Sequence, residues 1–301
     1  MKIYAPKYYN KFKCIADKCT HSCCIGWEIY IDAHTMKKYQ SLQSAYADTI
    51  RKSIEGDDEP RFRMCADGRC PHLDANGLCK IIIDSGEEYL SDICREHPRF
   101  YNESARGVEV GLGMACEEAA RIILSSDGYR DFAVVGESEG EVESVEFDAI
   151  AEIGRIYDVL GENVVYPDRL AKIYREWEVA PDKLSDSEWR ELLSGLEYLD
   201  KAHADLFSCY SSMIASAGNN DEYLERALAY FVYRHCASAR DEDEFSASLG
   251  VALFFERLFA SVLAKEGVKT LEAATRVARI ISEELEYSED NTDLIKTEYY
   301  F

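Results

Sequence analysis

The sequence predicts a mainly α-helical protein in which a small, irregular, cysteine-rich region with a few short strands precedes a helical bundle. Nine of the eleven cysteines lie within the first 116 of the 301 residues. From about residue 147 onward, apolar residues recur at the spacing of helices that bury one face. We therefore place the cysteine-rich region at residues 1–135 and the all-helical region at 147–301, with an acidic linker or loop at 136–146 between them.

Several elements follow from local sequence patterns. Ser185 and Glu188 have the spacing of a capping box at the start of a helix. The segment 246–264 is apolar nearly all round, which predicts a central, fully buried helix. Apolar residues on one side of 35–54 predict a single helix in the first half of the chain.

The charge of the chain limits its partners. It has 34 lysines and arginines against 57 aspartates and glutamates, a formal net charge of −23. Such a chain repels phosphate backbones, so we expect no nucleic-acid partner, whereas cationic ligands suit it. No apolar run approaches the roughly 20 residues of a membrane-spanning helix, so we expect no membrane partner. The first residues, MKIYAPKYYNKFKC, contain no apolar core of a secretion signal, which predicts a cytoplasmic protein.

The cysteines point to a metal site. Residues 14–24, CIADKCTHSCC, contain four of them. Thiols in the cytosol are kept reduced, so a dense cluster there is typical of metal binding. Thiolates bind soft ions, which leaves zinc and iron–sulfur clusters as candidates. The nine cysteines of this half are Cys14, Cys19, Cys23, Cys24, Cys65, Cys70, Cys79, Cys94 and Cys116.

The spacing favours an iron–sulfur cluster over a single zinc ion. The chain contains no C-x-x-C pair, the commonest half of a zinc knuckle. The adjacent Cys23 and Cys24 point in different directions, which suits a larger cluster or two neighbouring sites. His21, His72 and His97 are alternative ligands that could replace a cysteine.

Four motifs resemble the flagellin lysine-N-methylase family: FKCIADKCTHSCCIGWEIYID, CPHLDANGLCKI, GEEYLSDICREHPRF and MACEEAARIIL. They resemble more loosely the wider group of cysteine-rich zinc- or iron-chelating domains. The resemblance covers about residues 10–125. It implies a metal centre, which we expect to be a 4Fe–4S cluster with zinc as the alternative, and it leaves Cys65 outside the pattern. The ligands it implies are Cys14, Cys19, Cys23, Cys24, Cys70, Cys79, Cys94 and Cys116.

Four residues are candidates for cofactor binding. Arg95 and Arg99 could grip the carboxylate of a cofactor, or could instead pair with neighbouring acids. Trp27 could stack on a ligand or wall the metal, although core packing is the simpler interpretation. Glu109 opens EVGLG, which resembles the acidic-x-Gly-x-Gly loop of Rossmann-like methyltransferases, but the helical second half argues against that fold.

The resemblance implies S-adenosylmethionine-dependent methylation of lysine ε-amines, with flagellin or another lysine-bearing protein as the partner. No catalytic residue is evident from the sequence. The alternative is an iron–sulfur or zinc-binding module with a helical interaction domain and no methyltransferase activity. A third possibility is a redox protein that uses the cluster for electron transfer.

Overall fold

The structure is a computed structural model, and it describes residues 1–140, 146–181, 183–213 and 220–300. The strands are β1 (Lys2–Pro6), β2 (Ile54–Glu55), β3 (Arg61–Phe62), β4 (Arg99–Ser104), β5 (Gly107–Leu112) and β6 (Phe132–Glu137). The helices are α1 (Ala33–Ser41), α2 (Ala47–Lys52), α3 (Lys80–Ser85), α4 (Asp92–Glu96), α5 (Glu117–Ser125), α6 (Ala149–Leu160), α7 (Tyr166–Glu176), α8 (Asp186–Gly195), α9 (Ala202–Phe207), α10 (Asp221–Cys236), α11 (Glu242–Lys265), α12 (Leu271–Ile281) and α13 (Glu289–Tyr300).

The chain divides into two compact units. The cysteine unit comprises Lys13–Pro98, and the helical unit comprises Met1–Phe12 together with Arg99–Phe301. The division predicted from sequence, with a linker at 136–146, stays a prediction. Part of that segment, 141–145, lies outside the described residues, and its first two residues belong to β6.

The cysteine unit holds short helices and the small antiparallel pair β2–β3 around its own apolar core. The prediction of a single helix over 35–54 is wrong. Helix α1 ends before Leu42, whose backbone is extended, and α2 begins at Ala47. Arg51 explains the break. Its guanidinium donates hydrogen bonds of 2.8 and 3.1 Å to the carbonyl oxygens of Tyr39 and Leu42, which satisfies carbonyls at the end of α1.

The helical unit begins with a four-stranded mixed sheet in the order β4-β5-β1-β6. Strand β1 runs parallel to β5, and the other two pairings are antiparallel. Within the described residues this sheet is therefore not a doubly wound parallel sheet of the Rossmann type. The segment predicted to resemble a methyltransferase glycine loop contributes instead to β5.

The remainder of the helical unit is a bundle built around α11, as the sequence predicts. Its residues from Phe245 to Phe259 are buried almost without exception. By length and composition alone α11 could cross a membrane, but 83% of its most apolar stretch is buried inside the protein, which is typical of a core helix. The predicted capping box is also confirmed, since Ser185 and Glu188 satisfy each other's backbone amides at the start of α8. The mainly helical fold class is confirmed.

Candidate metal centre

Four cysteines from separate segments lie in the core of the cysteine unit. Cys70 is buried, and the other three are partly buried against the same apolar cluster. Each of the four side chains lies close enough to another for the two charges to interact. We call this group the thiol cluster; it comprises Cys24, Cys70, Cys79 and Cys94.

A tight knuckle brings Cys70 and Cys79 together. The backbone pairs Leu73 with Cys79 in antiparallel fashion. The Asp74 carboxylate accepts hydrogen bonds from the amides of Asn76 (2.8 Å) and Leu78 (2.9 Å), and Gly77 adopts a φ of +79°. These contacts confirm the turn predicted from Asn76-Gly77. They return the chain so that Cys79, the residue immediately before α3, lies near Cys70.

Backbone hydrogen bonds attach the segment of Cys24 to this knuckle. The amide of Cys70 donates to the carbonyl oxygen of Cys24 at 2.8 Å. The amide of Gly26 donates to the carbonyl oxygen of Gly68 at 3.0 Å. Cys94 lies within α4, which begins after Ser91. The thiol cluster therefore gathers residues that are up to 70 positions apart in the sequence.

The electrostatics of the thiol cluster are uneven. Burial raises the pKa of Cys70 to about 12 and that of Cys94 to about 11, and it also raises the pKa of Cys79. Cys24 differs, because a hydrogen bond from the Cys23 side chain, helped by Ser22 and the Arg69 guanidinium, lowers its pKa to about 7. Four thiolates at this place need a cation to offset burial and mutual repulsion.

The donors fit a thiolate-bound metal in type and number. Four sulfurs from one core are what tetrahedral zinc or a 4Fe–4S cluster requires. Across the described residues, however, no three histidine, cysteine, aspartate or glutamate side chains are grouped tightly enough to hold an ion. Closure of the thiol cluster around a metal therefore requires the sulfurs to approach one another further.

The other predicted ligands lie outside the apolar core of the thiol cluster, although the Cys23 side chain contacts that of Cys24. Cys14 and Cys23 are exposed and Cys19 is partly buried, all within the cysteine unit. Cys116 belongs to the helical unit, where it is the residue immediately before α5. Cys65, which the resemblance leaves aside, is exposed. The eight-ligand set therefore stays a prediction.

His72 has a structural role in this core. Its side chain is fully buried, with Nδ1 3.0 Å from the Tyr46 hydroxyl and Nε2 2.9 Å from the Ser53 hydroxyl. Burial lowers its pKa to about 4, so the ring is neutral. With both nitrogens engaged, His72 holds the knuckle in place and is not available to a metal, whereas ligation by His21 or His97 stays a prediction.

Two of the predicted cofactor residues lie in the cysteine unit. The indole of Trp27 donates to the carbonyl oxygen of Cys23, and its ring centroid lies 5.7 Å from that of His97. Arg95 pairs with Asp92 and lies 3.4 Å from a carboxylate oxygen of Glu96. Both residues therefore make contacts that support the local backbone, and their cofactor role stays a prediction.

The other two lie in the helical unit. The Nε of Arg99 donates to the hydroxyl of Tyr9 at 2.9 Å, and its guanidinium lies over the ring of Phe12. Glu109 is completely buried and accepts two hydrogen bonds from Arg106, at 2.7 and 2.8 Å. The sequence pattern around Glu109 resembles a ligand loop, an interpretation that the helical second half already argues against, and it contains no sign of this buried ion pair.

Comparison with known proteins identifies the family. The flagellar biosynthetic protein FliU of Salmonella muenchen is 30% identical to this chain over 128 residues, which is 40% of this chain and 75% of FliU. The chain belongs to the FliU and lysine-N-methylase family. The family resemblance predicted from the cysteine motifs is confirmed.

Longer members of the family match over the same length. Proteins named lysine-N-methylase from Salmonella typhimurium and Salmonella choleraesuis are each 30% identical over 128 residues. The match spans 32% of each lysine-N-methylase and 40% of this chain. No protein-family model matches the chain, and no solved structure matches it.

Proposed function

We propose that this protein methylates lysine ε-amines of a protein partner, with S-adenosylmethionine as the methyl donor and flagellin as the substrate. The observation that carries the proposal is membership of a family whose named relatives are lysine-N-methylases and a flagellar biosynthetic protein. The match covers only 32% of the length of each lysine-N-methylase, so methylation by this chain is a proposal.

The reaction is a displacement at a methyl group. The lone pair of a neutral ε-amine attacks the sulfonium methyl carbon, a C–N bond forms, the C–S bond breaks, and the amine releases one proton. Because an unperturbed lysine has a pKa of about 10.4, the site must bind the amine without its proton. The net charge of −23 supports both partners of this reaction, since the donor and a lysine-rich substrate are cationic.

The thiol cluster is proposed to hold the metal centre, as a 4Fe–4S cluster or, alternatively, zinc. When bound, the metal supplies the positive charge that four buried thiolates need and cross-links the segments that carry them. Cys24, Cys70, Cys79 and Cys94 are the proposed ligands, because they share one apolar core. Cys14, Cys19, Cys23 and Cys116 stay candidates through the family pattern alone.

We further propose that the protein acts in the cytoplasm. The cysteine content supports this location, because thiols stay reduced there. Trp27, Arg95, Arg99 and Glu109 stay candidates for cofactor contacts.

A second function is favoured by one observation, the gathering of four thiols in a unit that has its own core. On this alternative the protein is a metal-binding module with a helical interaction domain and no transferase activity. Incubation of the anaerobically purified protein with methyl-labelled S-adenosylmethionine and flagellin separates the two. Label in flagellin, absent when its lysines are blocked by prior acetylation, supports the transferase, whereas unlabelled flagellin supports the module.

A further inference from the structure

Strand β6 forms one edge of the four-stranded sheet in the helical unit. Within the described residues it pairs with β1 alone, so no strand lies along the side of β6 that faces away from β1. None of the six residues of β6 is fully buried, whereas five of the six residues of β5, in the middle of the sheet, are buried. An exposed edge of this kind offers backbone donors and acceptors to another extended segment.

The register of β6 on β1 determines which backbone groups point outward. The amide of Lys7 donates to the carbonyl oxygen of Asp131 at 2.8 Å, so that carbonyl faces β1. Because the C=O and N–H groups of a trans peptide point in opposite directions, the N–H group of Phe132 faces away from β1. Hydrogen-bonded pairs alternate along an antiparallel ladder, so Ala133 bonds to β1 and the N–H group of Val134 also points outward.

A β-bulge limits the open edge to its first half. The register shifts between Ile3 and Tyr4, which leaves Val135 without a residue opposite it in β1. Such a bulge interrupts regular pairing, so an added strand would pair along residues 132–134. The side chain of Val134, at the end of this stretch, is 51% exposed and offers an apolar contact to such a strand.

The charge around β6 favours one kind of segment. Residues 127–148, which include β6, carry eight aspartates and glutamates and one arginine. Ion pairs with Lys7 and Arg226 offset two of these carboxylates. Residues 94–107, which include the opposite edge strand β4, carry three arginines and two glutamates. The surroundings of β6 therefore attract a cationic segment and repel a second copy of the same acidic edge.

We propose that the outer edge of β6 docks an extended, lysine-bearing segment of the partner protein as an added strand. Backbone pairing with Phe132 and Val134 supplies binding that tolerates different sequences, and the surrounding carboxylates select for lysine side chains. The inference rests on the proposed function and deepens it, because it assigns binding of the protein substrate to the helical unit.

The first test measures binding of synthetic peptides by fluorescence anisotropy, using the full chain with its metal centre assembled anaerobically. One peptide alternates lysine and valine, a second alternates glutamate and valine, and a third is the lysine peptide with a methyl group on every backbone nitrogen. We expect the second and third to bind more weakly than the first by roughly tenfold or more. Equal binding of the first and third would show that charge alone holds the peptide and would overturn strand addition.

A matched pair of variants locates the binding. Val134→Lys places a cation on the edge and should weaken binding of the lysine peptide by about two- to fivefold, because like charges on facing strands repel. Val164→Lys, at a valine that is 49% exposed between α6 and α7, should leave the affinity unchanged.

Val134→Pro tests the backbone directly. It removes an outward N–H group and no hydrogen bond to β1, so we expect it to fold and to bind the lysine peptide about three- to tenfold more weakly. Melting curves verify that this variant and the two lysine variants fold. A dimer of the wild type that Val134→Pro dissociates would make a second copy the occupant of the edge and would overturn the choice of partner.

The label-transfer assay with flagellin separates this inference from the proposed function. Val134→Lys should raise the KM for flagellin more than it lowers kcat. Labelled flagellin, with KM and peptide affinity unchanged in both Val134 variants, would overturn docking at β6 while the methyltransferase proposal stands. Unlabelled flagellin, with peptide binding that depends on Val134, would overturn the methyltransferase proposal and leave the docking edge in place.

Discussion

The amide of Cys70 donates a 2.8 Å hydrogen bond to the carbonyl oxygen of Cys24, and this bond joins the first cysteine motif to the second. The two residues are 46 positions apart, yet their side chains belong to one apolar core. The backbone therefore brings these two thiols near one another. A metal bound there would stabilise contacts that the polypeptide itself makes.

The first prediction concerns metal content. Cys79→Ser replaces one thiolate of the thiol cluster, so we expect most of the bound metal to be lost and the thermal unfolding temperature to fall. Cys209→Ser is the control, because its side chain lies in the helical unit, where its thiol donates to the Leu206 carbonyl at 3.3 Å and serine can do the same. Elemental analysis and absorption spectra of anaerobically purified protein check both.

Iron and sulfide in the wild type and in Cys209→Ser, but not in Cys79→Ser, is the expected result. Stoichiometric zinc without iron would identify the thiol cluster as a structural zinc site and not as an iron–sulfur site. Equal metal content in all three proteins would exclude the thiol cluster as the site.

The second prediction concerns the knuckle between Cys70 and Cys79. Gly77 has a φ of +79° and free space around it, so Gly77→Ala adds backbone strain without a steric clash. We expect it to reduce the free energy of unfolding by about 1 kcal/mol. Gly154→Ala, in the middle of α6, should instead increase that free energy by about 0.5–1 kcal/mol. Denaturant titrations measure both changes. If both substitutions changed the free energy of unfolding in the same direction, the account would be contradicted.

The third prediction concerns acid stability. Burial disfavours the charge of Asp32, but hydrogen bonds from the amides of Thr35 (2.8 Å) and Asp92 (2.9 Å) outweigh it and lower the pKa to about 2. A lowered pKa means that the stabilisation is present above the unfolded-state pKa of about 3.9 and is lost as the pH falls toward 2.

Asp32→Ala removes the N-cap of α1 and should cost about 1 kcal/mol at pH 7. The difference in unfolding free energy between wild type and variant should shrink as the pH falls from 4 to 2. Denaturant titrations at several pH values measure it, and a difference that stays constant down to pH 2 would show that the carboxylate charge contributes nothing.

The fourth prediction separates a structural from a ligand-binding role for Glu109. Glu109→Gln leaves Arg106 without its buried counter-charge, so the free energy of unfolding should fall by roughly 2–4 kcal/mol. Glu103→Gln, at an exposed position on the neighbouring strand, should change it by less than about 0.5 kcal/mol. If Glu109→Gln kept full stability and lost only cofactor affinity, direct cofactor binding would be its role.

The sequence predicted those elements whose signal is local. The apolar surface of α11 and the capping box of α8 depend on residues a few positions apart, so periodicity revealed them. The break at Leu42 did not follow from periodicity, because it depends on Arg51 reaching back to the carbonyls of α1. A tertiary contact of this kind leaves no repeating pattern in the sequence.

The sequence predicted the chemistry of the candidate site, but it did not show which cysteines lie together. Clustered cysteines indicated metal, but only the fold shows that Cys24 and Cys94 share a core.

The most direct test of the central claim is mass spectrometry of flagellin co-expressed with this protein. We expect methyl-lysine on flagellin with the wild type and with Cys209→Ser, and a strong reduction with Cys79→Ser. Flagellin without methyl-lysine above the level of a strain lacking the protein would contradict the account and leave the metal-binding module as the function.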